Sequence, residues 1–302
     1  MKNTKVQTSS VLLVIAAAML WGTTGTSQAL APTGASPLTI GAVRLAIGGT
    51  VLFIFALMKG SWRGFKGWPF LTTVVAAVSM AAYQPFFFAG VSKTGVAVGT
   101  IVTIGSAPVF AGILAYLVRG EKPNGKWKIA TGLAILGNLF LLMSEKDISL
   151  NVVGIMMALG AGLAYAVYAL ASKELLDQHP SELVVAVVFS LGAILLSPLL
   201  FISDLTWLMD WRGSVAAIHL GVFATAVAYL LFSRGLAKIS VADAVTLTLA
   251  EPLTAAVLGI FILGEKLNLQ AFVGLLLLLA GILLLSINFK RWEKQADNNE
   301  IC

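Results

Sequence analysis

The residues with the clearest chemical potential lie in an apolar stretch, residues 246–266 (TLTLAEPLTAAVLGIFILGEK). A single carboxylate, Glu251, stands in its middle, and Pro252 follows directly. A lone acid in lipid is costly, and a proline in a helix frees a backbone carbonyl that then needs a partner. Both features are expected of a helix that faces a polar cavity. The sequence therefore predicts that Glu251 binds a proton or another cation; a structural Glu bonded to neighbouring helices is the alternative.

A second charge, Arg44, also lies inside an apolar run. At a rise of about 1.5 Å per residue, Arg44 is roughly 10 Å past Pro37, and Glu251 is roughly 15 Å past Val241. Because these depths differ by only about 5 Å, the two side chains could form an ion pair. Arg44 could instead hold a substrate carboxylate as a bidentate fork. The third alternative is an arginine that extends to the outer surface.

The other candidate cavity residues are aromatic or carry hydroxyl and amide groups. Trp21 has the same estimated depth as Glu251 and is followed by GTTGTSQ, a polar patch whose small residues could line a wet cavity. Trp21 and deeper tyrosines could surround a cation; plain packing is the alternative, or interfacial anchoring for Tyr168 and Tyr229. The predicted substrate-binding residues are Trp21, Thr24, Arg44, Tyr83, Gln84, Ser106, Tyr165 and Glu251.

Three prolines inside apolar runs, Pro85, Pro108 and Pro252, are predicted hinges. Proline removes a helical hydrogen bond and weakens the helix locally, although static kinks are the alternative interpretation. The sequence has no GxxxxGKS/T phosphate loop, no HExxH motif and no metal-spaced His/Cys cluster. It therefore predicts no catalytic residues, no metal and no cofactor.

The composition points to a membrane. Hydrophobic residues make up 58% of the chain and charged residues 11%, against about 25% charged in a soluble domain. The net charge of +6 could suggest nucleic acid, but the basic residues lie in short breaks between apolar runs. Basic residues in such breaks orient membrane spans, so the charge does not indicate nucleic acid. The predicted partners are the lipid bilayer and a small-molecule substrate. The single cysteine, Cys302, allows no disulfide within the chain.

The apolar runs predict ten spans, each of roughly the 20 residues that a bilayer requires. The first run resembles a signal peptide but continues to about residue 31 without a convincing cleavage site, so it is predicted as span 1. The polar residues after 288 are predicted to fray. The predicted spans are 11–31, 37–58, 68–91, 96–118, 125–143, 151–171, 181–202, 212–233, 241–263 and 268–289.

The placement of lysine and arginine predicts the orientation of the spans. If the N-terminus is cytoplasmic, 15 of the 20 basic residues fall in inside segments and 4 in outside segments, with Arg44 inside a span. Basic residues concentrate in cytoplasmic segments of membrane proteins. Both termini are therefore predicted to be cytoplasmic.

An internal repeat divides the chain into halves. The segment PVFAGILAYLVRGEK (108–122) aligns without a gap with PLTAAVLGIFILGEK (252–266), at a shift of 144 residues. Five spans is an odd number, so the second half enters from the opposite side of the membrane, as in many secondary transporters. The predicted units are two five-helix repeats, 1–145 and 146–290, and a polar cytoplasmic tail, 291–302. The aligned pairs include Pro108 with Pro252, Glu121 with Glu265, Lys122 with Lys266, Gly137 with Gly281 and, at a shift of 143, Pro37 with Pro180.

This pattern resembles the drug/metabolite transporter superfamily, in its EamA-like branch. The resemblance covers nearly the whole chain and includes the C-terminal pattern GEKLNLQAFVGLLLLLAGILLL. It implies an all-α membrane protein of ten transmembrane helices in two inverted repeats. Its members move amino acids, amines, sugars, nucleotide precursors or drugs, often outward. The residues that carry it are Trp21-Gly22, Arg44, Pro108, Gly120-Glu121, Glu251-Pro252 and Gly264-Glu265.

The sequence therefore predicts a secondary active transporter, not an enzyme, in the cell (plasma or inner) membrane. It would export small organic metabolites such as amino acids, amines or drugs by alternating access, with protons as a coupling partner through Glu251. The cavity is expected between spans 1–4 and 6–9, with spans 5 and 10 as scaffold, in a monomer or homodimer. Two alternatives stay open: an uptake carrier for a quaternary amine such as choline, and an intramembrane enzyme or non-transporting assembly factor.

Overall fold

The apolar runs form helices at nearly the positions that their hydropathy predicts. The computed structural model describes residues 2–32, 34, 36–64, 67–144, 151–264 and 268–299, and this part of the chain contains helices and their connections without a strand. Ten helical segments in it are long and apolar enough to cross a membrane. The prediction of an all-α chain with ten candidate spans is confirmed.

The helices are numbered here in chain order. A π-helix, His219–Val227, joins α8 to α9, so the eighth span has three segments. The helices are α1 (Lys2–Ala29), α2 (Pro37–Met58), α3 (Phe70–Thr94), α4 (Val96–Arg119), α5 (Gly125–Met143), α6 (Val152–Leu176), α7 (Ser181–Ile202), α8 (Trp211–Ile218), α9 (Ala228–Leu236), α10 (Val241–Leu247), α11 (Ala250–Leu263) and α12 (Leu269–Asn299).

Matching residues end α4 and α11 and begin the helices that follow. Gly120 and Gly264 follow the two helices with φ of 68° and 70°, a left-handed conformation that glycine adopts without strain. Four residues later, Asn124 and Asn268 each accept a hydrogen bond of 2.8 Å from the backbone N–H three residues on. The glycine pair and the asparagine pair are both separated by 144 residues. Glu265 and Lys266, which the repeat aligns with Glu121 and Lys122, lie outside the described residues.

The ninth span is broken in its middle. Helix α10 ends at Leu247 and α11 begins at Ala250, and the N–H of Glu251 donates to the Thr248 carbonyl at 2.9 Å, a spacing of three residues. Pro252 has no N–H to donate, and its ring disfavours the helical position of the carbonyl four residues earlier. By contrast, α3 and α4 run without interruption through Pro85 and Pro108. The three predicted hinges are therefore not equivalent.

The helices pack as a bundle with one pair at its side. Helix α6 packs on α3 and α4, α1 packs on α9 and α11, and α2 packs on α7. Helices α5 and α12 pack on each other through glycines: a Cβ on Gly137 would lie 2.7 Å from the Gly274 carbonyl oxygen, and the reverse distance is equal. These small residues let the two backbones approach closely.

Both terminal helices extend further than the apolar runs predict. Helix α1 begins at Lys2 rather than near residue 11, and α12 continues to Asn299 rather than fraying after residue 288. The polar residues at both ends include no glycine or proline, so nothing in the local sequence stops the helix. The predicted frayed tail is corrected to a helix as far as Asn299.

Candidate functional site

A cavity lies in the middle of the bundle, next to the break in the ninth span. It contains about 690 Å³ of empty space when the open solvent at its mouth is counted. Helices α1, α2, α3, α4, α6 and α9 and the ninth span supply its walls, and none of the lining residues comes from α5, α7 or α12. The lining residues are Trp21, Thr24, Gln28, Arg44, Tyr83, Gln84, Phe87, Phe88, Thr103, Ile104, Ala107, Tyr165, Tyr229, Thr248 and Glu251.

Two opposite charges share this cavity. Arg44 on α2 is buried, with 8% of its surface exposed, and Glu251 begins α11 just after the break. Glu251 lies in the first turn of a helix, where the partial positive charge of the N-terminus favours a carboxylate. The ion pairs found among the described residues do not join Arg44 to Glu251. Both charges therefore remain able to interact with a ligand.

Several other cavity groups have hydrogen-bonding capacity to spare. The indole N–H of Trp21, the amide nitrogen of Gln84 and the hydroxyl of Tyr165 are buried without a hydrogen-bond partner in the described part of the protein. Buried polar groups are rarely left unpaired, since each costs about 1–3 kcal/mol. Three of them around one cavity suit a polar ligand or water. In addition, no side chain of the described residues donates a hydrogen bond to Glu251.

Aromatic rings close one end of the cavity. Trp21 packs on Tyr229 with ring centroids 4.7 Å apart and on Phe232 at 5.5 Å. Below them, Tyr168 and Phe189 are almost completely buried. Lining residues toward the other end are partly exposed, as Gln28 on the last turn of α1 illustrates. The cavity therefore opens toward the end of the bundle where α1 and α3 end.

Ion pairs tie the helices together at the closed end. Arg119 at the end of α4 contacts Glu121 at 2.8 Å and Asp177, after α6, at 2.9 Å. The second carboxylate oxygen of Glu121 accepts the N–H of Val241, the first residue of α10, at 3.3 Å. Lys173 on α6 donates to the carbonyls of Leu236 and Ala237 at the end of α9, at 2.9 and 3.1 Å. A further ion pair joins Arg234 to Glu182.

Seven of the eight residues predicted to bind substrate line this one cavity; Ser106 is the exception. Its hydroxyl donates to the Thr103 carbonyl at 3.2 Å, and it lies so close to α6 that a Cβ on Gly162 would be 2.3 Å from it. Ser106 therefore belongs to the α4–α6 contact, because a small hydroxyl can be satisfied by the carbonyl of its own helix.

Two alternative interpretations of the sequence are wrong for these side chains. Arg44 is buried beside the cavity and does not extend to the outer surface. Tyr168 and Tyr229 are 1% and 3% exposed, so neither anchors the protein at the membrane interface. The His219 ring shares a hydrogen bond of 2.8 Å with the Thr23 hydroxyl.

Some lining residues carry a signal in the sequence that the prediction did not use. Gln28 ends the polar patch of span 1, and Thr248 precedes Glu251 by one helical turn. Phe87 and Phe88 follow Gln84 by three and four residues, so they lie on the same face of α3. Thr103 has no such signal, since an isolated threonine in an apolar run is indistinguishable from a packing residue.

The fold and the cavity together define the class. The described residues include ten helical segments of membrane-spanning character, and seven of these spans line a partly open cavity with charged and polar groups, an arrangement found in multi-pass membrane transporters. The chain belongs to the EamA-like transporter family, whose model matches residues 8–143 and again residues 152–287. The membership places it among small-molecule transporters rather than enzymes.

Other proteins that are similar to this chain in sequence are also transporters by name. The chain is 44% identical to the uncharacterized transporter YwfM of Bacillus subtilis (strain 168) over 275 residues, which cover 91% of this chain and 93% of that protein. It is 28% identical to the threonine/homoserine exporter RhtA of Escherichia coli (strain K12) over 270 residues, covering 85% and 84%. A crystal structure with 19% identity matches with a TM-score of 0.79 over 94% of this chain and 99% of that one, which supports the fold alone.

Proposed function

We propose that this protein is a secondary active transporter that exports a small organic metabolite across the cell membrane by alternating access. The observation that carries the proposal is that Arg44 and Glu251 face one cavity without forming an ion pair with each other. A guanidinium can hold a carboxylate by two parallel hydrogen bonds, and a carboxylate can hold an ammonium group. An amino acid carries both groups, and it is therefore the substrate class that the cavity suits best. The relative RhtA is named as a threonine/homoserine exporter.

Glu251 is also the proposed coupling site. Its carboxylate lies at a helix break within a span, where intramembrane acids commonly belong to proton or ion pathways. Because the described protein provides it with no hydrogen-bond donor, its partner can be a proton in one state and the substrate ammonium in another. Proton binding and substrate binding at the same carboxylate would then exclude each other, which is the basis of exchange.

We further infer that residues 1–145 and 146–290 are inverted five-helix repeats with both termini in the cytoplasm. The family model matches once in each half. The left-handed glycines Gly120 and Gly264, and the capping asparagines Asn124 and Asn268, recur at the same shift of 144 residues as the sequence repeat. The helix packing is also consistent with a two-fold relation, since α3 packs on α6 as α9 packs on α1.

With this orientation, the cavity opens to the outside and is closed to the cytoplasm. The closed end carries the ion pairs of Arg119 and Arg234. It also carries Lys173, which binds the carbonyls at the end of α9. Partly exposed ion pairs contribute only about 0.2–1 kcal/mol each, so a few of them can close one side without locking it. The broken ninth span supplies a hinge at Pro252, beside Glu251.

The arrangement of the rings does not favour a quaternary amine. An aromatic box requires rings that stand apart around the cation, whereas Trp21 contacts both Tyr229 and Phe232 directly. A choline-sized group could lie between these rings only if they separated.

A binding screen followed by transport would test the proposal. Purified protein is first heated with amino acids, amines, sugars and drugs, and a ligand at about 100 times its Kd should raise the Tm by several degrees. Radiolabelled L-threonine and homoserine are then loaded into proteoliposomes with and without a pH gradient. We expect stabilisation by amino acids and acceleration by the gradient. Stabilisation by sugars alone, or by choline alone, would contradict the proposed substrate class.

A further inference from the structure

We propose that Thr225, in the π-helix of the eighth span, is the positioning residue that directs Arg44 toward the cavity. The inference rests on the proposed ligand-binding role of Arg44. Thr225 is fully buried and is not part of the cavity lining, so it would act on a substrate only through Arg44.

The hydrogen bonds of Thr225 give its hydroxyl a fixed polarity. The Thr225 hydroxyl donates to the Leu220 carbonyl at 2.8 Å, and the hydroxyl oxygen of Thr225 accepts a hydrogen bond from the Nε of Arg44 at 3.2 Å. A threonine hydroxyl has one proton and two lone pairs, and the Arg side chain can only donate. Because Leu220 takes the proton, a lone pair is left to accept from Arg44. The structure gives the Arg44 side chain no other hydrogen bond among the described residues.

The π-helix explains why the Thr225 hydroxyl is available in this direction. Leu220 precedes Thr225 by five residues, the spacing of the wider π-helical turn. Stretches of π-helix are uncommon and occur often at functional sites. Here the wide turn places a threonine next to α2 and still leaves Tyr229, one turn later, on the cavity wall.

Close packing keeps Thr225 in place. A Cβ on Gly48 would lie 2.5 Å from the Thr225 methyl carbon, and a Cβ on Gly221 would lie 2.5 Å from the Ile47 side chain. Gly48 lies one helical turn after Arg44, on the same face of α2. The two glycines therefore bring α2 and the π-helix into contact at the level of Arg44. With Nε bound to Thr225, the two terminal nitrogens of the guanidinium are free to hold a carboxylate as a fork.

Replacing the hydroxyl without changing the side-chain shape isolates this role. Thr225→Val removes the acceptor, and Thr225→Ser keeps it as the matched control. The first readout needs no substrate: the rate at which phenylglyoxal modifies Arg44 in purified protein, measured by mass spectrometry against Arg212 as internal standard. We expect the rate in Thr225→Val to depart from wild type by about threefold or more, as loss of a hydrogen bond to a charged group implies, and the rate in Thr225→Ser to match wild type.

The second readout is transport of L-threonine in proteoliposomes. Thr225→Val should raise the KM about tenfold with little change in maximal rate, whereas Thr225→Ser should keep the wild-type KM. In an Arg44→Lys background, which lacks the Nε donor, Thr225→Val should cause no further increase in KM. A wild-type modification rate in Thr225→Val, or equal behaviour of the Val and Ser variants, would overturn the inference. If Thr225→Val does not fold, Thr225→Ala replaces it. If wild-type protein moves no L-threonine while the modification result holds, the proposed substrate fails and the role of Thr225 stands.

Discussion

Gly22 of α1 lies directly against the backbone of Glu251. A Cβ at position 22 would stand 2.7 Å from the Glu251 carbonyl oxygen and 2.6 Å from the Thr254 side chain. Helix α1 can therefore approach the ninth span at this level only because position 22 has no side chain. Trp21, next to Gly22, and Glu251 both line the cavity. Gly22 therefore sets the distance between the Trp21 ring and the Glu251 carboxylate.

Gly22→Ala should destabilise the protein and reduce transport. Forcing an extra carbon into a packed contact costs about 1–3 kcal/mol, only partly offset by the gain of about 1 kcal/mol in helix propensity. Gly25→Ala is the matched control, since a Cβ there would meet nothing within 4 Å. Thermal unfolding of both variants in the same detergent should show a lower Tm for Gly22→Ala and an unchanged or higher Tm for Gly25→Ala. Equal Tm values would mean that the contact is not tight.

Glu251→Gln should leave a folded protein in which the pH gradient no longer drives transport. The amide keeps the shape of the side chain but cannot exchange a proton, and accumulation of radiolabelled substrate should fall by at least about tenfold, as for loss of a group essential to coupling. Glu174→Gln, on α6 outside the cavity lining, is the control and should retain the wild-type rate. Normal gradient-driven accumulation by Glu251→Gln would remove this carboxylate from the coupling mechanism.

The sequence predicts the spans and most of the cavity for a common reason. In lipid, a polar side chain has to face the interior of the bundle, so residues such as Arg44, Gln84 and Glu251 identify the inner face without any structure. The same argument also selects Ser106, whose hydroxyl bonds to a carbonyl of its own helix and therefore does not require a cavity.

Local backbone irregularities are the part that could not be predicted. Pro108 and Pro252 align in the repeat, yet only the ninth span breaks, since helix packing decides whether a proline interrupts a helix or merely bends it. The π-helix around Thr225 has no signature in its apolar sequence. Its register depends on the contacts of Gly48 and Gly221 with their neighbours, and such contacts exist only in the folded bundle.

Pro252→Ala should slow transport while Pro85→Ala leaves it nearly unchanged. Alanine restores an N–H that can bond to the Thr248 carbonyl, so α10 and α11 can join into one stiffer helix. Pro85 lies on the exposed side of a helix that already runs without interruption, and its replacement changes little beside the cavity. We expect Pro252→Ala to have an equal or higher Tm and a lower maximal transport rate. A wild-type rate in this variant would exclude the break as a hinge.

Arg119→Gln should shift the protein toward opening at its closed end. The Arg119 guanidinium contacts both Glu121 and Asp177 and so links the ends of α4 and α6. Because these ion pairs are partly exposed, their loss should change the equilibrium between the closed and open forms of this end only about twofold to fivefold. A Thr24→Cys reporter in a Cys302→Ser background measures this, since Thr24 lines the cavity. A membrane-impermeant maleimide should label the reporter from the outside in the parent protein, and Arg119→Gln should raise the labelling rate in inside-out vesicles. Arg212→Gln, before the π-helix at the opposite end, should leave that rate unchanged. If Arg212→Gln also raises the labelling rate, or if Arg119→Gln does not raise it, the ion pairs at the closed end do not control access.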